Sequence, residues 1–196
     1  MNSRLMVRNR ILERAQERFF AYGFMNVSMD EIASVLGMSK KTIYNHFSSK
    51  NKLIEATIED HIISAISRYK QIVNSPLNYI DKLYKIFCLI GTTFMKMSKP
   101  YRDDLSEQRP DIWKRLEDIR SRTVFASFKT FIQEGVKNGI VRSEIQPEVL
   151  LIAYISALQG VDNTPLLFNN KITTDSAVES ITRIYLDGIL TEKAWQ

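Results

Sequence analysis

The sequence predicts an all-α protein with about nine helices, and three observations lead to this fold class. Only 7 glycines and 5 prolines interrupt the 196 residues, so long helices are possible. Apolar residues recur every third or fourth position through most of the chain, which is the period of an amphipathic helix. Residue types that cap or end helices stand between these segments. We therefore expect a small N-terminal helical bundle followed by a larger helical body.

The first two helices are marked at their ends. Residues 4–22 carry an apolar stripe, and Gly23 is expected to end this helix. Ser28 and Glu31 then have the spacing of a capping box, in which the serine oxygen accepts a backbone amide and the glutamate reaches back. A second helix should follow and end at Gly37. Its inward-facing apolar residues are expected to be Ile32, Ala33, Val35 and Leu36.

The third helix carries most of the polar chemistry of this region. Ser39 is expected to cap it, and Ile43 and Phe47 lie four apart on the side that packs inward. The outward positions are Lys40, Lys41, Thr42, Tyr44, Asn45 and His46. Cations, hydroxyls and amides of this kind bind phosphates and base edges in the DNA major groove. The spacing predicts a three-helix, helix-turn-helix DNA-binding domain over residues 1–48.

The stretch TIYNHFSSK, followed by LIEA, resembles the TetR-type (TetR/AcrR) bacterial transcriptional regulators. The matching positions are Thr42, Ile43, Tyr44, His46, Phe47 and Lys50. The resemblance implies that amides near Ser28 and the side chain of Lys50 contact DNA phosphates. It also implies that the long helix beginning at Ser49 acts as a lever. On spacing alone, the same residues would also suit a small helical hairpin with a solvated basic face.

Positive charge is concentrated in the same region. Up to Glu55 the chain holds nine Lys and Arg against five Asp and Glu, whereas the remainder is nearly balanced at 18 against 17. Such concentration is typical of a phosphate-binding surface. The candidate DNA-binding residues are Ser28, Ser39, Lys40, Lys41, Thr42, Tyr44, Asn45, His46 and Lys50. Among them we expect Thr42 and Asn45 to read base edges, and the lysines, Tyr44 and His46 to grip phosphates.

Residues 49–196 are expected to form a regulatory body that binds a ligand and dimerises. Its six predicted helices cover about residues 49–73, 77–98, 101–108, 111–138, 148–160 and 175–190, and 162–174 is the least regular stretch. The helix at 148–160 is apolar on nearly all sides, so part of it should face a partner. The last two long helices resemble the dimer-forming pair of the family, which implies a homodimer.

Aromatic side chains recur on the helices of this body. The candidate ligand-binding residues are Tyr84, Phe87, Phe94, Trp113, Phe125, Phe128 and Tyr154. In similar proteins these helices enclose a pocket for an effector, and such pockets are mostly apolar. An aromatic stripe at helical spacing also suits ordinary core packing, and both interpretations stay open here.

Other classes of protein find little support. Only His46 and His61 are present, and no HExxH motif, Gly-rich phosphate loop or serine elbow occurs, so no enzymatic function is expected. Cys88 is the only cysteine, so neither an internal disulfide nor a cysteine-built zinc site is expected, and no cofactor or metal is predicted. No stretch reaches the roughly 18 apolar residues of a membrane helix. With no secretory signal at the N-terminus, we expect a cytoplasmic protein.

These patterns together predict a ligand-responsive transcriptional repressor. It would bind a palindromic, double-stranded DNA operator as a homodimer and be released by an unidentified small apolar or amphipathic effector. The alternative is a helical small-molecule carrier without DNA function, which explains the body but leaves the basic N-terminal region unexplained.

Overall fold

The computed structural model describes residues 3–162 and 172–195, and it confirms the all-α fold class. Within these residues the α-helices are α1 (Ser3–Tyr22), α2 (Met29–Leu36), α3 (Lys40–Tyr44), α4 (Lys50–Val73), α5 (Tyr79–Met95), α6 (Lys99–Gln108), α7 (Pro110–Ile119), α8 (Ala126–Lys137), α9 (Pro147–Asp162) and α10 (Thr174–Ile189). A π-helical segment, Arg120–Phe125, joins α7 to α8, and a 3-10 turn, Glu192–Trp195, follows α10. Of the irregular stretch expected at 162–174, residues 163–171 lie outside the described part.

Most helix ends agree with the sequence patterns. The run from α7 through the π-helical segment to α8 is uninterrupted and corresponds to the single helix predicted at 111–138. Counted as one, it brings the helices of the described residues to the expected nine. Pro110 is the first residue of this helical run. A backbone N–H at that position has no partner within the helix, so proline, which lacks the N–H, loses no hydrogen bond there. Gly37 ends α2 in the left-handed conformation, at φ 61°, as its position predicts.

Three details differ from the expectations. The third helix ends at Tyr44, short of Phe47, because the His46 amide bonds the Ile43 carbonyl three residues back and tightens the last turn. The fifth helix begins at Tyr79 because Asn78 caps it, its side-chain oxygen accepting the Asp81 amide at 2.8 Å.

The third difference concerns Val35, which was expected to face inward but is 49% exposed. The inward face of α2 is formed by Met29, Ile32, Ala33 and Leu36. At 100° per residue the centre of this face lies about 110° around the helix from Val35. The prediction was wrong because Val35 lies two residues after the buried pair Ile32 and Ala33, and the turn of the helix over those two residues places it on the solvent side.

The described chain divides into two compact units. The head unit contains residues up to Ala65 together with Lys96–Lys114, and the body unit contains Ile66–Met95 together with residues from Arg115 onward. Packing therefore adds the first part of α4, all of α6 and the start of α7 to the head. The functional division at residue 48 that the sequence suggests stays a prediction.

The head unit is built around the apolar side of α1. Its fully buried side chains include Ile11, Ala15, Phe19, Ile32, Ile43 and Leu53. Helix α6 closes one side of this core, because the Ser98 amide bonds the Phe20 carbonyl at 2.9 Å and the Tyr101 ring lies against Phe20 and Phe24. The head is thus assembled from two separate stretches of sequence.

The body unit packs α5 against α8, α9 and α10. Its buried residues include Leu83, Ile86, Phe87, Phe128, Ile132, Leu158 and Val178. One buried polar group, the Tyr154 hydroxyl, lies 2.9 Å from both the Phe87 carbonyl and the Thr182 hydroxyl, so its burial is compensated by hydrogen bonds. Within residues 3–162 and 172–195, no helix has the length and apolar character needed to cross a membrane.

Candidate nucleic-acid interface

Helix α2 begins at the predicted cap. The Ser28 hydroxyl oxygen accepts the Glu31 amide at 3.1 Å, which leaves the hydroxyl proton available to donate elsewhere. The Glu31 side chain does not complete a capping box, because its carboxylate accepts hydrogen bonds from Arg18 of α1. This ion pair ties α2 to α1. The exposed Ser28 therefore lies at a helix N-terminus whose amides and dipole suit an anion.

Helix α3 is anchored by two apolar side chains and presents polar groups to solvent. Ile43 is fully buried and Phe47 is 4% exposed. The exposed residues of this segment are Ser39, Lys40, Lys41, Tyr44 and Asn45, whereas Thr42 and His46 are half-buried. All seven polar residues predicted here therefore lie together on one short helix and the turn that follows it.

Hydrogen bonds already engage part of this polar face. The Ser39 hydroxyl oxygen accepts the Thr42 amide at 3.0 Å, and the two hydroxyl oxygens are 2.8 Å apart. The Lys40 ammonium pairs with Asp30 of α2 at 2.8 Å, and this pairing raises its pKa. Both side chains of the pair are largely exposed, so the pair exchanges readily with an external anion.

Lys50, the first residue of α4, is half-buried rather than fully exposed. Partial burial lowers the pKa of its ammonium, and the Asp104 carboxylate of α6 opposes this effect. The same carboxylate accepts the Met25 amide at 2.8 Å, in the turn between α1 and α2. Asp104 was missed in the sequence because nothing local connects α6 with a turn 79 residues earlier.

Two arginines at the start of α1 were also missed. Arg4, Leu5, Arg8 and His46 line a cleft of about 340 Å³. The available signal was the spacing of Arg4 and Arg8, four apart on one helix face. What the pattern alone does not give is that this face lies beside the end of α3.

The aromatic residues predicted to line a ligand pocket do not all lie in one unit. Trp113 belongs to the head unit, and the other six belong to the body unit. Phe87, Phe94, Phe128 and Tyr154 are buried in the body core, where the Phe87 ring meets those of Phe128 and Tyr154 edge to face. Tyr84 and Phe125 are half-buried. A ligand-lining role stays a prediction for each of them.

Comparison with known proteins agrees with this arrangement. Residues 11–57 match the family described as bacterial regulatory proteins, tetR family. The chain is 25% identical over 167 residues to YvaF, an uncharacterized HTH-type transcriptional regulator of Bacillus subtilis (strain 168), covering 85% of this chain and 87% of that protein. It is 24% identical over 151 residues to the HTH-type transcriptional repressor KstR2 of Mycolicibacterium smegmatis (strain ATCC 700084 / mc(2)155), covering 73% and 71%.

The fold is also similar to that of the transcriptional regulator FadR from Bacillus subtilis, solved in complex with stearoyl-CoA. The TM-score is 0.68 at 14% identity, and the match covers 92% of this chain and 98% of that chain. These relatives are transcriptional regulators. Residues 11–57, which include the capped α2–α3 pair, therefore match the tetR family of bacterial regulatory proteins, and the relatives that align beyond them into the body are transcriptional regulators.

Proposed function

We propose that this regulator is a repressor that binds a palindromic DNA operator as a homodimer and releases it when a small effector binds. The observation that carries the DNA-binding part is the polar face of α3, which rests on the buried Ile43 and Phe47. A face held this way presents its side chains at fixed positions, which base recognition requires. The relatives are regulators, so we propose no catalytic role.

The exposed groups suit different parts of a duplex. Lys41 and Tyr44 are exposed and suit the phosphate backbone, whereas the Asn45 amide suits the donor and acceptor edge of an adenine. Thr42 is half-buried beside Ser39 and would reach a base edge only by exchanging its hydroxyl contact. On binding DNA, Lys40 would replace its ion pair with Asp30 by a contact to a phosphate. Lys50 would likewise bind a phosphate in place of its interaction with the nearby Asp104 carboxylate. His46 and the hydroxyls of Ser28 and Ser39 complete the proposed phosphate set.

The last two long helices support dimerisation. Val149 and Ile152 of α9 are 58% and 67% exposed, and Ile184 of α10 is 68% exposed. Large apolar side chains left in water on two neighbouring helices mark an interaction surface. A second copy fits it, because two heads read two half-sites and a twofold dimer therefore specifies a palindrome.

An apolar or amphipathic effector is the proposal for the body. The body core is rich in aromatic rings and holds few polar groups, among them the Tyr154 and Thr182 hydroxyls. FadR, whose fold is similar, was solved with stearoyl-CoA, an amphipathic molecule. Pockets for such ligands are mostly apolar with a few polar groups that set orientation.

The test is selection of bound sequences from a random pool of duplex DNA, repeated at several salt concentrations with the purified full chain. Recovery of a palindrome, with affinity that falls steeply as salt rises, is the expected result. Weak binding without sequence preference would favour the carrier alternative. Sedimentation of the recovered complex would then give the number of protomers on each operator.

A further inference from the structure

The cleft beside the end of α3 contains two arginines to which the proposed function above gives no role. Its lining residues Arg4, Leu5 and Arg8 come from the first turns of α1, and His46 comes from the turn after α3. Leu5 is 49% exposed, so the cleft opens to solvent. It is therefore positioned next to the polar face of α3 and within the same compact unit.

Arg8 is held in place by an aromatic ring. Its guanidinium carbon lies 4.9 Å from the centroid of the Phe47 ring, and Phe47 is itself 4% exposed. A guanidinium that stacks on a ring keeps its N–H donors at the edge of the plane, where they can bind a planar anion or a phosphate. The Arg8 side chain is thus ordered without its charge being neutralised.

Two arginines further along α1 form ion pairs with carboxylates. Arg14 pairs with Glu17 at 2.5 Å, and Arg18 pairs with Glu31. Within residues 3–162 and 172–195 no ion pair involves Arg8, and the first turn of α1 contains no acidic residue. The charge of Arg8 therefore has no carboxylate partner among the described residues, whereas the charges of Arg14 and Arg18 are balanced by carboxylates.

We propose that Arg4 and Arg8 form a second phosphate-binding site, which grips the DNA backbone beside the groove that α3 enters. The inference rests on the proposed DNA-binding function and extends its contact surface beyond the helix-turn-helix. The occupant is a phosphodiester of the duplex flanking the bases that α3 reads. Guanidinium groups bind phosphate oxygens through paired N–H donors, so the two arginines suit the DNA backbone.

The test compares Arg4→Gln and Arg8→Gln with Arg10→Gln as the matched control. Arg10 lies on the same helix, is exposed and loses the same charge, but it does not line the cleft. Removing one phosphate contact from each head should lower the slope of log affinity against log salt by about 0.9 per head. We expect this decrease for the first two variants and a smaller change for Arg10→Gln. Equal slopes in all three would overturn the proposal.

Duplex length provides a second, independent readout. Two duplexes carry the same selected operator, and one extends it by about half a helical turn on each side. The unchanged protein should bind the longer duplex more tightly, and Arg4→Gln and Arg8→Gln should abolish that gain in affinity. No gain for the unchanged protein would overturn the flanking contact while leaving operator binding intact. Failure to bind either duplex would instead remove the proposed function.

Folding is controlled separately because Arg8 contacts Phe47. Arg8→Lys keeps the positive charge and should retain most of the salt slope, whereas Arg8→Gln should not. Thermal unfolding of each variant identifies any that fails to fold. Arg4→Gln changes an exposed residue outside that ring contact and carries the test alone if Arg8→Gln is unstable. A normal slope in a folded Arg4→Gln would then overturn the role of Arg4.

Discussion

At the scale of single residues, the turn between α1 and α2 depends on one close approach. Gly23 has φ 81°, and a Cβ built there would lie 2.6 Å from the Asp104 carboxylate and 3.3 Å from the Pro100 carbonyl oxygen. The carboxylate cannot rotate away without losing its hydrogen bond from the Met25 amide. Glycine is therefore required at this position twice, for its backbone conformation and for space.

Gly23→Ala should lower the free energy of unfolding by roughly 2–5 kcal/mol, the sum of a left-handed backbone penalty and overpacking. Gly37→Ala is the matched comparison, because Gly37 has φ 61° but nothing within 4 Å of the added atom. It should cost only about 1 kcal/mol. Urea unfolding followed by circular dichroism measures both, and equal losses of stability would show that the contact with Asp104 is unimportant.

Asp104 also has an electrostatic role that can be separated from its structural one. Asp104→Asn keeps an oxygen that accepts the Met25 amide but removes the negative charge near Lys50. On the proposed role of Lys50, DNA binding should tighten a few-fold at low salt, with a difference that shrinks as salt rises. Asp104→Ala loses the hydrogen bond as well and should unfold at a lower temperature. Weaker DNA binding by a stable Asp104→Asn would contradict this role.

At the scale of helices, serine caps set where the DNA-binding motif begins. Ser28→Ala removes the acceptor of the Glu31 amide and should cost about 1 kcal/mol of stability. Ser34→Ala is the control, since Ser34 is exposed inside α2, where alanine favours the helix. The difference between the two unfolding midpoints isolates the cap. An unchanged midpoint for Ser28→Ala would mean that solvent satisfies the amide equally well.

Helix positions were predictable from sequence because caps and apolar period are local. Ser28, Ser39 and Gly37 mark helix ends that the structure places where the pattern does. Partners across the fold were not predictable in this way. Glu31 bonds Arg18 instead of its own cap, and Asp104 reaches a turn far back in the chain, because both choices depend on which helices meet. The positions of the candidate DNA-binding side chains were predicted, whereas the cleft formed by α1 was not.

At the scale of the whole molecule, exposed apolar residues bear on assembly. Ile152→Glu and Ile184→Glu should convert a dimer to monomers, because each places a charge within the proposed interface. Ile63→Glu is the matched control, since Ile63 is 67% exposed on α4 and belongs to the head unit. Analytical ultracentrifugation distinguishes the species. Dimers that persist in both interface variants, or that dissociate equally in Ile63→Glu, would place the interface elsewhere.

The assembly of the head from two stretches has a consequence for protein engineering. A fragment ending at Ala65 would contain every residue of the helix-turn-helix motif, yet it would lack α6 and leave Phe20 and Phe24 without the Tyr101 ring that covers them. Truncation at a single point therefore cannot produce a stable minimal DNA-binding domain. A separately expressed DNA-binding domain would need Lys96–Lys114 joined to the fragment through a new linker. Chimaeras that exchange heads between relatives should exchange both stretches together.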